Sequence, residues 1–278
     1  MKILDVSQYQ GNIDWNKVKA AGVQGVIIRA GWGKGNVDPK FHQNAEAATA
    51  AGLNVGIYWF SYAYTVPMAK QEAIYCHSVI WKYKDKINLP VFFDWEYDSM
   101  RWAEKNGKKP DKALITAMIR EFCEKIKEIG YKPGYYLNQD YARNHVDETK
   151  LKEYKRWFAK YTTTEQKDCY LWQYTSKGTI DGIQGNVDVN RLWNLEDAVE
   201  VAPVQQDEME EKYDMREIKR GSRGKAVKIW QIIVGADPDG IFGAKTEAAT
   251  KEFQKKKGLV VDGIVGKNSW KAGLESVS

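Results

Sequence analysis

Leu89-Pro90-Val91-Phe92-Phe93-Asp94-Trp95-Glu96 is an apolar run that ends in two acids. The run reads as a strand buried in a sheet, so its carboxylates emerge at the strand's carboxyl end. Residues two apart on a strand share a face, which projects Asp94 and Glu96 together, roughly 7 Å apart along the backbone. Two carboxylates that close raise the pKa of at least one, keeping a proton available near neutral pH. Acid-assisted glycoside cleavage needs such a pair: one group to protonate the leaving oxygen, one to support the cationic centre. A salt-bridged pair on a solvent face is the plainer alternative. The buried run before the acids favours a site, because barrel active sites sit at the carboxyl ends of strands.

Outward from this strand, residues 1–195 alternate β-rich runs with helix-period segments. Strands are expected at Lys2–Val6, Gly25–Ala30, Val55–Phe60, Leu89–Asp94, Gly134–Leu137, Arg156–Ala159, Tyr170–Tyr174 and Val187–Val189. Helices are expected near Trp15–Ala21, Pro39–Ala51, Pro67–Tyr83 and Asp111–Ile129. In the last, Leu114, Met118, Phe122, Ile126 and Ile129 make one apolar stripe, and Gly130 and Pro133 follow as stop signals. The alternation predicts an α/β fold with a parallel sheet, closed into a barrel if about eight strands pair. Helices thin out after about residue 150, which argues for an irregular barrel.

Charge divides the 278 residues into three blocks. Residues 1–195 carry 28 Lys/Arg against 22 Asp/Glu, 196–215 carry 1 against 8, and 216–278 carry 13 against 7. The middle block has no clear periodicity and reads as an acidic linker between a large and a small domain. The basic flanks suit an anionic partner such as cell wall, and no nucleic-acid motif accompanies them. The 11 Trp and 16 Tyr supply flat surface that sugars use, though much of it must be core. Cys76, Cys123 and Cys169 are odd in number and far apart, so they read as reduced, buried thiols made in a reducing compartment. His42, His77 and His145 lack ligand spacing, so no metal or other cofactor is expected. The start Met1-Lys2-Ile3-Leu4-Asp5 turns polar too soon for a signal peptide, and no apolar run reaches spanning length.

Two further strands repeat the apolar-then-acid pattern, at Ile3-Leu4-Asp5 and Val187-Asp188. Asp5-Val6-Ser7, Gly56-Ile57-Tyr58-Trp59-Phe60, Phe93-Asp94-Trp95-Glu96, Leu171-Trp172-Gln173-Tyr174 and Gly185-Asn186-Val187-Asp188 fall in one order. In that order and spacing the chain resembles family 25 glycoside hydrolases, the Chalaropsis-type lysozymes common as phage endolysins. The resemblance covers about residues 1–195. It implies a flattened, irregular β/α barrel that cuts between N-acetylmuramic acid and N-acetylglucosamine of peptidoglycan. It also implies that Glu96 is the general acid and that Asp94 orients the substrate's 2-acetamido group. Asp5 and Asp188 are implied to line the same pocket, with Tyr58, Tyr136, Trp172 and Gln173 binding sugar. Tyr135 and Tyr136 must face opposite ways, and Tyr136 is the one placed in the pocket. Trp59 stands where many relatives carry His.

The tail echoes itself: Asp239-Gly240-Ile241-Phe242-Gly243 returns as Asp262-Gly263-Ile264-Val265-Gly266, with Thr246 and Ser269 each three residues on. Val227, Trp230 and Ile233 share one helix face, and Ala249 and Phe253 another. Together with Arg220-Gly221-Ser222-Arg223-Gly224, this stretch resembles the type 1 peptidoglycan-binding domain, a small three-helix all-α module over 216–278. Such a module implies an enzyme held on its insoluble substrate. Two rivals stay open: a chitinase or N-acetylglucosaminidase, and a wall-binding lectin that has lost catalysis. The expected setting is synthesis in a bacterial host cytoplasm without a leader, then holin-dependent release to the wall at cytolysis.

Overall fold

A computed structural model describes residues 1–193 and 217–276 of the chain, which divides into two compact units, Met1–Val201 and Ala202–Ser278. The acidic linker expected at 196–215 lies outside the described residues.

In the first unit the strands are β1 (Lys2–Val6), β2 (Gly25–Trp32), β3 (Asn36–Val37), β4 (Asn54–Phe60), β5 (Ile87–Asp94), β6 (Pro133–Asn138), β7 (Lys155–Ala159), β8 (Leu171–Gly178) and β9 (Val187–Leu192). They hydrogen-bond in the order β1-β9-β8-β7-β6-β5-β4-β2, and β1 pairs with β2 to close an eight-stranded barrel. The two-residue β3 hangs on β2. Among the eight barrel strands, neighbours are parallel except around β9, which runs antiparallel to both β1 and β8. The fully parallel sheet expected from the sequence is corrected at that strand. The link from Gly178 to Val187 holds no helix, and a parallel return needs a crossover of about a dozen residues or more.

Alternation sorts the side chains between barrel interior and helical coat. On β5, Phe92 points inward to a cluster with Ile3, Leu89, Tyr136, Trp157, Leu171 and Leu192. Its neighbour Phe93 packs outward against Phe122, ring centroids 4.9 Å apart. Room for the Phe92 ring comes from Gly134 on β6, where a Cβ would sit 2.4 Å from Phe92 Cδ1. No residue but glycine fits that approach.

The coat consists of α1 (Trp15–Ala20), α2 (Phe41–Ala50), α3 (Val66–Ile80), α4 (Tyr97–Lys105) and α5 (Lys112–Ile129). Asp111 caps α5 by accepting from the Leu114 amide at 2.8 Å, and Gly130 ends it in the left-handed region at φ 94°. Its buried face is Ile115, Met118, Ile119, Phe122, Cys123, Ile126 and Ile129, with Leu114 at the edge. Each such side chain adds roughly 1.5–3 kcal/mol, so packing rather than propensity holds this helix. The sequence reading missed α4, because only Ser99 and Ala103 of its residues are buried. Between Ile129 and the end of β9, the described residues form short π and 3-10 turns and no α-helix.

The second unit contains α6 (Lys225–Ile233), α7 (Ala244–Lys256) and α8 (Lys267–Ser276). Its sequence echo is a structural one. Gln231 Nε2 donates to Asp239 Oδ1 (2.8 Å), Ile241 O (3.0 Å) and Thr246 Oγ1 (2.9 Å), and its Oε1 accepts from Gly240 N (2.9 Å). Gln254 does the same with Asp262 Oδ1 (2.8 Å), Ile264 O (2.9 Å), Ser269 Oγ (3.2 Å) and Gly263 N (2.9 Å). Gly240 and Gly263 share φ values of 78° and 75°, which a side chain resists. The buried face of α7 is therefore Thr246, Thr250 and Gln254, polar residues that an apolar-periodicity search passes over. Trp230 Nε1 donates to Thr250 Oγ1 at 2.8 Å and joins the two halves. Replacing Gln231 by Leu keeps the volume but strands several buried groups. In urea melts of the full chain followed by Trp fluorescence, the unit is expected to lose about 2–4 kcal/mol. A loss below about 0.5 kcal/mol, within the range of an ordinary surface change, contradicts this account.

Candidate active site

A cleft of about 300 Å³ opens at the carboxyl ends of the parallel strands and gathers all four acids, Asp5, Asp94, Glu96 and Asp188. Asp5 on β1 and Asp188 on β9 are direct cross-strand partners, so register alone sets two like charges side by side. Asp94 ends β5 between Phe60 of β4 and Tyr136 of β6. Glu96 does not share that strand, because β5 stops at Asp94. Glu96 is instead the N-cap residue of α4, its amide donating to Ser99 Oγ at 3.0 Å. The alternation argument brought Asp94 and Glu96 to one place for the wrong reason: a strand-to-helix turn does it.

Burial governs the acids. Glu96 is pushed up to about 7, first by burial and then by Asp98 and Asp188, against the hydrogen bond from Asn138. Asp188 is pushed up to about 6 by burial. Asp5 rises well above the usual carboxylate range through burial and the facing Asp188, although Asn190 and Gln173 hydrogen-bond to it. Asp94 rises as well, through burial and then Glu96 and Asp5, with Arg29 pulling the other way. A buried cluster of acids cannot ionise together, so the site holds protons at neutral pH.

Around them runs a continuous hydrogen-bond chain. Tyr136 Oη and Tyr161 Oη each donate to Gln173 Oε1 at 3.2 Å, and Gln173 Nε2 donates to Asp5 Oδ2 at 3.0 Å. The same Oδ2 accepts from Asn190 Nδ2 at 2.7 Å, and Asn190 Oδ1 accepts from Trp157 Nε1 at 2.8 Å. Tyr58 borders the cleft, and burial holds its hydroxyl far above the ordinary value against the pull of Arg29. Arg29 donates from Nε to Asp38 Oδ2 at 2.7 Å and lies 5.1 Å from the Tyr9 ring centroid. Asp94 Oδ1 is buried without a hydrogen-bond partner, which leaves an acceptor for a ligand at the cleft.

Of the sugar-binding residues expected, Tyr58, Tyr136 and Gln173 reach the cleft. Tyr135 faces away and donates to Glu148 Oε2 at 3.2 Å. Trp172 is corrected. It precedes Gln173 on β8, so it points to the outer face, where it packs with Phe158 and Cys169 and its Nε1 donates to Lys160 O at 2.9 Å. Trp59 is likewise outside the cleft, fully buried between Tyr58 and Phe60. Sequence reasoning missed Trp157, Asn190 and Arg29, all inward on strands it had placed or nearly placed. Tyr136 pairs with Trp157 across to β7, a register that alternation within either strand does not fix. Tyr9 and Tyr161, which are 78% and 59% exposed at the cleft rim, lie on a three-residue 3-10 turn and on an irregular segment, neither of which any periodicity marks.

Comparison with known proteins agrees with this geometry. The sequence profile of glycosyl hydrolases family 25 matches residues 4–183, and that of a peptidoglycan binding domain matches residues 230–272. An autolytic lysozyme of Clostridium acetobutylicum is 26% identical over 279 residues, covering 97% of this chain and 77% of that protein. The modular autolysin LytC of Streptococcus pneumoniae superposes with a TM-score of 0.59 at 30% identity, over 68% of this chain and 46% of that one. This chain thus spans under half of LytC's length. The catalytic domain of endolysin ply40, from bacteriophage P40 of Listeria monocytogenes, shares the fold with a TM-score of 0.58 at 24% identity, over 69% of this chain and 93% of that one. With its matched segment running from β1 through β8 and holding all but one of the four clustered acids, the chain belongs to the glycosyl hydrolases of family 25 and is a glycoside hydrolase of the lysozyme type.

Proposed function

We propose that the chain cuts the β-1,4 bond between N-acetylmuramic acid and N-acetylglucosamine in bacterial peptidoglycan, with Glu96 as the proton donor. The observation that carries this reading is Glu96 lining one cleft with Asp5, Asp94 and Asp188, where burial, Asp98 and Asp188 favour its protonated form. A glycosidic oxygen leaving toward Glu96 takes that proton as the bond to the anomeric carbon breaks, and a water then adds to that carbon while giving a proton back to Glu96. Asp94 offers its unpartnered Oδ1 to the N–H of a 2-acetamido group, which turns the acetamido oxygen toward the electron-poor carbon. Asp5 is fixed by Gln173 and Asn190 and backs this arrangement, with Asp188 beside it on the neighbouring strand. Tyr58, Tyr136 and the rim rings Tyr9 and Tyr161 supply sugar-stacking surface.

The second unit anchors the enzyme to the same polymer, which raises local concentration without altering the chemistry. Endolysin-like delivery is part of the proposal: synthesis in a reducing cytoplasm fits three buried free thiols, with release to the wall coming later. Lysis of a host expressing this chain that proceeds equally well without a holin overturns that delivery. Digestion of purified walls followed by reduction and mass analysis tests the bond cut. New reducing ends are expected to be muramic acid. Glucosamine ends favour a glucosaminidase instead, and wall binding without any new ends favours a lectin.

A further inference from the structure

Glu72 on α3 is 2% exposed and takes no part in the cleft, yet it is tied to the catalytic segment. Its Oε1 accepts from the Tyr62 backbone amide at 3.0 Å, just past the end of β4. Tyr62 is the middle of the irregular segment 61–63, whose flanks hold the stretch that carries the acids. Ser61 N donates to Asp94 O at 2.7 Å. Ser99 Oγ donates to Ser61 O at 2.7 Å while accepting from the Glu96 amide at 3.0 Å. Trp95 Nε1 donates to Ala63 O at 2.8 Å. Residues 61–63 thus grip the segment Asp94–Ser99 at three points, and the Glu72 carboxyl holds the centre of that grip.

We propose that Glu72 is a positioning residue that sets the Asp94–Glu96 turn by anchoring the Ser61–Ala63 splint. The inference rests on the reading of Glu96 as the acid. An apolar side chain would fill the same space more cheaply than a buried acid, so the acid is explained by the amide it receives. Burial pushes Glu72 up to about 8, against bonds from Ser61 and the Tyr62 amide, so it works as a neutral acceptor that glutamine reproduces. Proton donors act through placement, and a shift on the order of 1 Å costs about a hundredfold in rate.

The test uses the full chain and soluble uncross-linked glycan strands, comparing kcat and KM for Glu72→Gln, Glu72→Leu, Ser99→Ala and the Glu72→Leu/Ser99→Ala double variant. Glu72→Gln is expected to keep kcat within about twofold, and Glu72→Leu to lose about tenfold to a hundredfold in kcat at unchanged KM. Ser99→Ala should lose kcat in the same way. The double variant should fall no further than the worse single, because both changes release one splint. Leucine at wild-type kcat, glutamine falling as far as leucine, or losses that multiply in the double variant overturn the proposal. If Glu72→Leu does not fold, wild-type kcat in Ser99→Ala overturns it alone. Full activity of Glu96→Gln sinks the site reading itself. A dead Glu96→Gln beside a fully active Glu72→Leu sinks only the splint.

Discussion

Glu96→Gln is expected to leave a folded protein that still binds walls and has lost roughly a hundred- to ten-thousandfold in cleavage rate. The amide has the carboxyl's shape but no proton to give, so the leaving oxygen departs unassisted. Binding survives because the rings of Tyr9, Tyr58 and Tyr161 and the second unit are untouched. The loss should therefore appear in kcat with little change in KM. Wild-type rate should also fall about tenfold per pH unit above about 7, the range to which burial, Asp98 and Asp188 lift the donor. The residual rate of Glu96→Gln should lack that limb. Turbidity clearance of a wall suspension over pH 5 to 9 measures both. A variant retaining more than about a tenth of wild-type activity shows that another group delivers the proton. Asp188, raised to about 6, is then the next to replace.

Much of this site was legible because barrel strands impose simple rules on sequence. An apolar run that stops at an acid marks the carboxyl end of a strand, and Asp5 and Asp94 follow that rule, whereas Asp188 comes to the same place from the start of antiparallel β9. Their convergence needed the closure of β1 onto β2 and β9, a long-range pairing with no local signature. The antiparallel turn of β9 was hidden for the same reason: short strands look alike in either direction. Trp172 failed because a motif was carried over whole, although adjacent strand residues must part to opposite faces. Its neighbour Gln173 kept the inward side. Helix α4 was invisible because its exposed, charged surface gives no apolar period, yet its first turn positions Glu96. The polar core of the second unit shows the same limit. Gln231 and Gln254 are buried, and only the repeated Asp-Gly-Ile turns beside them hinted at it.

The same substitution that removes activity should stabilise the protein, and increasingly so as pH rises above about 4.5. Glu96 has an ordinary value of 4.5 unfolded and about 7 folded, raised chiefly by burial. A carboxyl whose folded pKa is raised binds its proton more tightly in the native state, so native stability falls as pH climbs from about 4.5 to about 7 and stays reduced above that. Glutamine carries no charge at any of these pH values and escapes the loss. At pH 8 Glu96→Gln is therefore expected to gain about 1–3 kcal/mol over wild type, discounted for the part of the side chain that water reaches. For a unit of some 200 residues each kcal/mol moves Tm by about 2–4 °C, so calorimetry should separate the two proteins by several degrees. At pH 4 the difference should shrink close to zero, because Glu96 is then mostly protonated in both states. Asp5, Asp94 and Asp188 are raised in the same direction, so wild type itself should melt lower at pH 8 than at pH 5. Equal melting of wild type and Glu96→Gln at pH 8 means that the folded site does not hold the Glu96 proton, and proton donation by Glu96 loses its electrostatic basis. A gain that grows from about pH 4.5 to about 7 and persists above means that the enzyme carries its acid at a cost in stability, with the crowding that makes Glu96 a donor also straining the fold around it.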